Sequence, residues 1–175
     1  AAGDQFGISV SAAGDVNNDG YSDLIVGANG SDSAGSNSGR AYIYLGGSVP
    51  DNTADVKLTG DTAGDNFGYS VSSAGDVNGD GFSDVIVGAL LSDILFVDGG
   101  VAYIYFGGFS MNNVADETLP GLGTDDQLGY SLSGAGDING DGYSDVIVGA
   151  YLDNNTYVNS GSAFVYFGGA DPDTV

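Results

Sequence analysis

Three short stretches of this chain carry oxygen-bearing side chains at alternate positions: DVNNDGYSD from Asp15, DVNGDGFSD from Asp76 and DINGDGYSD from Asp137. A hard cation that takes about six to eight oxygens at 2.3–2.6 Å suits such spacing, because a tight loop wraps alternate residues around the ion. In the first loop the candidate donors are Asp15, Asn17, Asp19, the backbone carbonyl of Tyr21, and Asp23. Their counterparts are Asp76, Asn78, Asp80, Phe82 and Asp84, then Asp137, Asn139, Asp141, Tyr143 and Asp145. Gly20, Gly81 and Gly142 fall where such a loop turns sharply, which glycine does at least cost. The chain has no histidine and no cysteine. Every donor is therefore oxygen, and the spacing points to calcium at three sites rather than to zinc. Without a cation, three aspartates in one turn would repel one another by roughly several kcal/mol. The alternative is an Asx-rich hairpin turn that binds no metal.

The loops open like those of EF-hands but do not continue like them. An EF-hand places a bidentate glutamate at its twelfth position, where this chain has Val26, Val87 and Val148. Dockerin modules also need a ligand there and continue as a helix. A ninth-position aspartate followed directly by an apolar run instead fits a hairpin between two strands. Three equivalent loops argue for structural staples, since an active site is normally assembled once.

What positions these loops is a repeat. Asp15, Asp76 and Asp137 stand 61 residues apart, and the same offset links Phe6-Gly7, Phe67-Gly68 and Leu128-Gly129. It also links Val26-Gly27-Ala28, Val87-Gly88-Ala89 and Val148-Gly149-Ala150, and then Gly46-Gly47, Gly107-Gly108 and Gly168-Gly169. One supersecondary unit is thus used three times, over approximately residues 4–64, 65–125 and 126–175 of a single propeller segment spanning 1–175. Within a unit, Phe67 to Ala74 alternates large and small residues, a half-buried strand signal. Asp84 to Ala89 is a continuous apolar run suited to a strand covered on both faces. Val101 to Phe106 is aromatic and β-branched. A weaker fourth segment runs from Ala115 to Leu119, matching Ala54 to Leu58. No stretch carries a helical period with caps. The fold class is all-β: three four-stranded antiparallel units, the pattern of β-propeller blades, with the third lacking its outer strand. A stack of sandwich domains is the alternative, but about 60 residues per unit is small for one.

Bulk composition narrows the function. Net charge is −22, with 24 acidic residues against 2 basic ones, Arg40 and Lys57, so a phosphate-neutralising surface cannot be built and nucleic acid is excluded as a partner. No apolar run approaches the roughly 20 residues of a membrane-spanning helix, and membrane insertion is not expected. The opening AAGDQFG has neither the basic start nor the apolar segment of a signal peptide, so the chain reads as a mature portion or an excised piece. Catalysis lacks parts: no histidine or cysteine, one lysine, one arginine and a single glutamate, Glu117. We therefore expect a non-enzyme.

The FG, the D-x-N-x-D-G-x-x-D and the V-G-A, in that order, resemble the FG-GAP repeats of the integrin alpha-subunit propeller. The resemblance covers essentially the whole chain. It departs at Leu128-Gly129, which replaces FG, and at Asn29, Leu90 and Tyr151, where a proline often follows V-G-A. What it implies is a calcium-stabilised propeller, outside the cell or on its surface, that recognises a protein or glycan ligand.

Three full units would need 3 × 61 residues, more than the 175 present; the shortfall matches Ala115 to Leu122, hence the missing outer strand. Three blades do not close a ring, and an open arc exposes apolar faces. Either the chain is cut from a larger propeller, or two copies form a homodimer that completes a six-bladed ring. Between the second and third strands the units diverge: NGSDSAGSNS, LLSDILFVDG and YLDNNTYVNS. Variable loops on a constant frame are expected to bind, together with the connections between blades, Gly60 to Asp65 and Gly121 to Asp126, which strand alternation puts on the same face, opposite the aspartate-rich hairpins. Candidate ligand contacts are Ile94, Leu95 and Phe96 in an apolar cluster continuing to Val97, which alternatively packs on a neighbouring blade, with Tyr151 and Tyr157. Those tyrosines suit a second reading, a carbohydrate-binding lectin; a glycan-active enzyme and an excised segment with no function of its own are further alternatives.

Overall fold

The computed structural model describes residues 2–154 and 157–170. The first blade contains β1 (Val10–Gly14), β2 (Asp23–Ala28), β3 (Arg40–Tyr44) and β4 (Val56–Thr59). The second contains β5 (Phe67–Gly75), β6 (Asp84–Ala89), β7 (Val101–Tyr105) and β8 (Glu117–Pro120). The third contains β9 (Leu128–Gly136), β10 (Asp145–Ala150) and β11 (Ser162–Tyr166). Strands pair antiparallel in chain order in every sheet, giving two four-stranded blades and one of three strands. The outer strand missing from the residue count is thus missing from the third sheet, and residues 171–175 lie outside the described residues. No helix occurs among the described residues, so none there is long and apolar enough to cross a membrane.

The outer strands start later than their apolar pattern announces, at Val56 and Glu117. The cause is the aspartate before each. Asp55 and Asp116 turn their carboxylates back to accept from the Leu45 and Phe106 N–H groups at 2.9 and 2.7 Å, just past the end of the third strand. A side-chain acceptor there takes over from the ladder.

Burial along the second strand shows where each blade sits. All six residues of β6 are buried, because blades cover both of its faces. In β2 and β10 the repeated run is covered on one face only: Ile25 is buried while Leu24 is exposed, and Val146 and Val148 are buried while Ile147 is partly open. The expectation of a strand covered on both sides holds for the middle blade alone. Two apolar clusters fill the inter-blade layers. One joins Ile25, Ile43 and Leu58 to Val85, Val87 and Tyr105; the other joins Ile86, Ala102 and Ile104 to Val146 and Val148.

The F-G and V-G-A motifs have a shared steric cause. A Cβ on Gly27 would overlap the carbonyl of Gly68, and one on Gly88 the carbonyl of Gly129, each in the next blade. Gly68 and Gly129 themselves lie at φ +81° and +87°, a left-handed conformation that side chains resist. Blades approach backbone to backbone at these points, so side chains are excluded. Gly149, with no following blade beside it among the described residues, would meet only Ser131 of its own blade, the hydroxyl first. Gly88→Ala is expected to destabilise the chain by about 1–3 kcal/mol. Gly149→Ala, facing a hydroxyl that can rotate away, should cost less, and thermal unfolding of the two variants checks the order.

Candidate functional site

Each aspartate-rich loop joins the first and second strands of its blade. A bulge just before it, between Ala12 and Gly14 and again between Ser73 and Gly75, turns the chain out of the ladder. Gly14, Gly75 and Gly136, at φ +81°, +80° and +68°, make that turn.

Inside the first loop the carboxylate of Asp15 accepts from the N–H groups of Asp19 at 3.0 Å and Gly20 at 2.8 Å. Asp19 accepts from the Tyr21 N–H at 2.9 Å and from the Asn17 side-chain amide at 3.0 Å, while Asn17 Oδ1 accepts from the Asp19 N–H at 3.1 Å. The second and third loops repeat every one of these bonds around Asp76, Asn78, Asp80 and Phe82, and around Asp137, Asn139, Asp141 and Tyr143. Backbone donors thus hold the one, three and five positions of each loop in a common arrangement. Asp76 and Asp137 accept a further N–H, from Gly79 at 2.7 Å and Gly140 at 2.6 Å. With about four lone-pair sites per carboxylate, Asp15 keeps two open and Asp76 and Asp137 one each.

The ninth-position aspartate has a second role that spacing does not announce. Asp23, Asp84 and Asp145 are fully buried. One oxygen of each accepts from the N–H of the residue after the loop's first aspartate: Val16 at 2.7 Å, Val77 at 2.8 Å, Ile138 at 2.9 Å. The other reaches 23 residues along the chain to the first glycine of the G-G pair: Gly46 at 2.7 Å, Gly107 at 2.8 Å, Gly168 at 2.9 Å. Each carboxylate ties its loop to the end of the third strand. Burial pushes the Asp23 carboxyl up, offset by the two backbone donors and reinforced by Asp19 and Asp15. In the enclosed middle blade the same causes, burial first, push Asp84 up to about 7.

Among the described residues no three acidic side chains stand together as a ready-made metal centre. The donor set per loop is mixed: two outer carboxylates, an amide, a backbone carbonyl and the deeper ninth carboxylate. All are oxygen, and the outer ones face solvent, so the residues present fit a hard cation.

Sequence reasoning missed the serine within each loop. Ser83 Oγ accepts from the Asp15 N–H and its own N–H donates to the Asp15 carbonyl, at 3.2 and 3.1 Å. Ser144 does the same for Asp76 at 3.2 and 2.9 Å. Gly108 and Gly169 add N–H bonds to the Val16 and Val77 carbonyls of the preceding blade, at 2.7 and 2.8 Å. The 61-residue offset of these serines is the signal that was available.

At the opposite end of the strands, the loops between second and third strands differ less than their sequences suggest. Asn37, Asp98 and Asn159 all adopt positive φ, and their N–H groups donate to Asp32, Asp93 and Asn154 at 2.8, 2.7 and 2.7 Å. Among the described residues the same closing turn therefore carries three sets of side chains. Ile94, Leu95 and Phe96 are exposed at the middle loop, as is Val97. Tyr151 packs on Tyr130 at 4.2 Å between ring centroids, and Tyr130 on Tyr69 at 5.4 Å. Tyr157 is exposed, and no ring stacks on it among the described residues.

Three antiparallel blades with this loop in each define the class, a β-propeller built from tandem repeats. The chain belongs to the FG-GAP repeat family, whose pattern matches residues 6–44, 67–105 and 128–166. It is 34% identical to integrin alpha-5 of Xenopus laevis over 171 residues, 92% of this chain and 16% of that protein. It is 33% identical to integrin alpha-6 of Homo sapiens over 158 residues, 89% of this chain and 13% of that one. Integrin alpha-IIb of Mus musculus is 37% identical over 158 residues, 83% and 15%. The chain spans about a seventh of the length of these relatives. They give no support to a homodimer that completes a six-bladed ring.

The buried carboxylate yields a clean test. Asp84→Asn keeps the shape but turns one acceptor into a donor facing a backbone N–H, at an expected cost of about 1–3 kcal/mol. The loss should persist in excess chelator, because it arises from the Val77 and Gly107 bonds. Chemical denaturation with and without chelator measures it.

Proposed function

We propose that these blades are calcium-stapled and form part of an extracellular recognition or adhesion propeller, with ligand bound on the face opposite the calcium loops. One observation carries the reading: one end of every blade keeps its oxygen donors and hydrogen bonds constant, while the other keeps its backbone frame and varies its side chains. Constancy suits a staple, and variation on a rigid frame suits recognition.

In each loop the ion would be held by the first, third, fifth and ninth side chains and the seventh carbonyl. Bound there, it neutralises carboxylates that otherwise repel one another. The residues themselves supply the shape: Asp15, Asn17 and Asp19 are oriented by backbone donors, and Asp23 anchors the loop to the sheet. The function is recognition, not catalysis. Millimolar extracellular calcium keeps even weak sites of this kind filled.

The loops of the opposite face are bound to one another through backbone. The Asn66 N–H donates to the Asn37 carbonyl at 3.1 Å and the Gln127 N–H to the Asp98 carbonyl at 3.2 Å, tying each 2–3 loop to the connection that starts the next blade. Ile94, Leu95, Phe96 and Tyr157 offer exposed apolar and aromatic surface there, with Tyr151 part-exposed over Tyr130. That row of rings, Tyr69, Tyr130 and Tyr151, favours a second reading in which the ligand is a carbohydrate that stacks on them. A glycan array separates the two.

Calcium linkage is the test. At a hundredfold excess over its Kd, each site contributes roughly 2.7 kcal/mol to stability. Chelator should lower the melting temperature sharply, and calcium should restore it better than magnesium. Asp80→Ala should remove one site from the calorimetric stoichiometry and leave the other two. An unchanged melting curve in excess chelator refutes the calcium reading.

A further inference from the structure

Between the first and second blades lies a pocket of about 440 Å³, lined by Asp61, Asp65, Phe67, Tyr103 and Tyr105 among others. Thr59, Asn113 and Thr118 add polar edges, and Ile94 reaches it from the middle loop. The walls are set by the inter-blade core: Phe67 packs against Tyr103 at 5.7 Å and edge-on against Tyr105 at 6.2 Å between centroids.

The repeat provides an internal comparison. At the corresponding positions between the second and third blades, Thr59 becomes Pro120, Asp61 becomes Leu122, Phe67 becomes Leu128 and Tyr103 becomes Phe164. A carboxylate and two hydroxyls are replaced by apolar groups, although Asp126 and Tyr166 keep the counterparts of Asp65 and Tyr105. The polar lining is therefore particular to one groove and is not demanded by the blade.

Carboxylates dominate its charged lining, with one guanidinium at the Thr59 edge. Asp65 is buried, which pushes its carboxyl up, and the charges that reach it, Asp93 and Asp61, are both negative. Arg40, one of only two basic residues, directs its Nε to Thr59 Oγ1 at 3.2 Å. Behind the wall, Ser92 is 1% exposed and lies beside Asp65 and Tyr103, yet its hydroxyl meets neither in hydrogen-bonding geometry. Burial pushes the phenols of Tyr103 and Tyr105 up as well, so both rings are neutral. The ring faces that wall the pocket offer a hard cation no oxygen donor, and a neutral polyol would leave the two carboxylates uncompensated. An ammonium on a short alkyl stem satisfies both surfaces, because carboxylates and aromatic faces each attract it.

We propose that this pocket binds a compact organic cation, an alkylammonium group held between Asp61 and Asp65 against the rings of Tyr103 and Tyr105. The site is independent of the calcium loops and goes beyond the function proposed above. Its volume lies in the range of small-ligand sites.

The test is a titration of the full chain, kept in calcium, with n-butylammonium and in parallel with its neutral counterpart 1-butanol. Aromatic proton shifts of Tyr103, Tyr105 and Phe67 report binding by NMR. The expected result is saturable movement with the ammonium alone, weakened by roughly tenfold or more in Asp61→Asn, the loss of one charge-assisted contact. Asp61 is exposed, so this variant should melt like the parent chain. Asp65→Asn should weaken binding further. Equal saturation by 1-butanol, no saturable shift with n-butylammonium, or undiminished affinity in both variants overturns the proposal. None of these results touches the chelation experiment, so the two readings stand or fall separately.

Discussion

The blades depend on one buried carboxylate. Asp23, Asp84 and Asp145 each bind two backbone N–H groups that no strand ladder satisfies, one inside the aspartate-rich loop and one just past the third strand. A buried donor left unpaired costs about 1–3 kcal/mol, so a blade without this residue would have two such deficits. Loop shape, strand register and the position of the G-G turn follow from satisfying them. Ion binding, as proposed, uses a loop that the carboxylate has already anchored.

Backbone proximity is the second constraint. Because Gly27 meets the Gly68 carbonyl and Gly88 the Gly129 carbonyl, blades pack through main chain near one end and through Ile, Val and Leu side chains elsewhere. The two modes divide labour: apolar burial supplies driving force, while the glycine contacts set how closely and at what register neighbouring blades meet. Variable loops then begin from a fixed platform, which is why their shared backbone frame survives such different side chains.

Much of this was legible in the residues. The 61-residue offset disclosed the repeat, the blades and the shortened third sheet, because insertion-free copies force equivalent geometry. The aspartate spacing singled out the loops. The buried role of Asp84 was hidden, since a ninth-position carboxylate looks the same whether it meets an ion, an N–H or both; only the position of Gly107 tells. The outer-strand starts at Val56 and Glu117 were hidden for a similar reason, as Asp55 and Asp116 compete locally with the ladder. The pocket at Asp61 and Tyr103 arises from residues 42 positions apart in sequence, and no local pattern marks such a pair.

The serine contacts run in one direction along the chain. The loop at Asp15 is completed by Ser83 and Gly108, and the loop at Asp76 by Ser144 and Gly169, always from the blade that follows. On a ribosome the amino-terminal blade emerges first, but its loop waits for atoms of the next one. The bonds inside each loop need only its own blade, while these added contacts come one blade later. Every such contact gives the array a direction: each unit after the first secures the loop of the one before it.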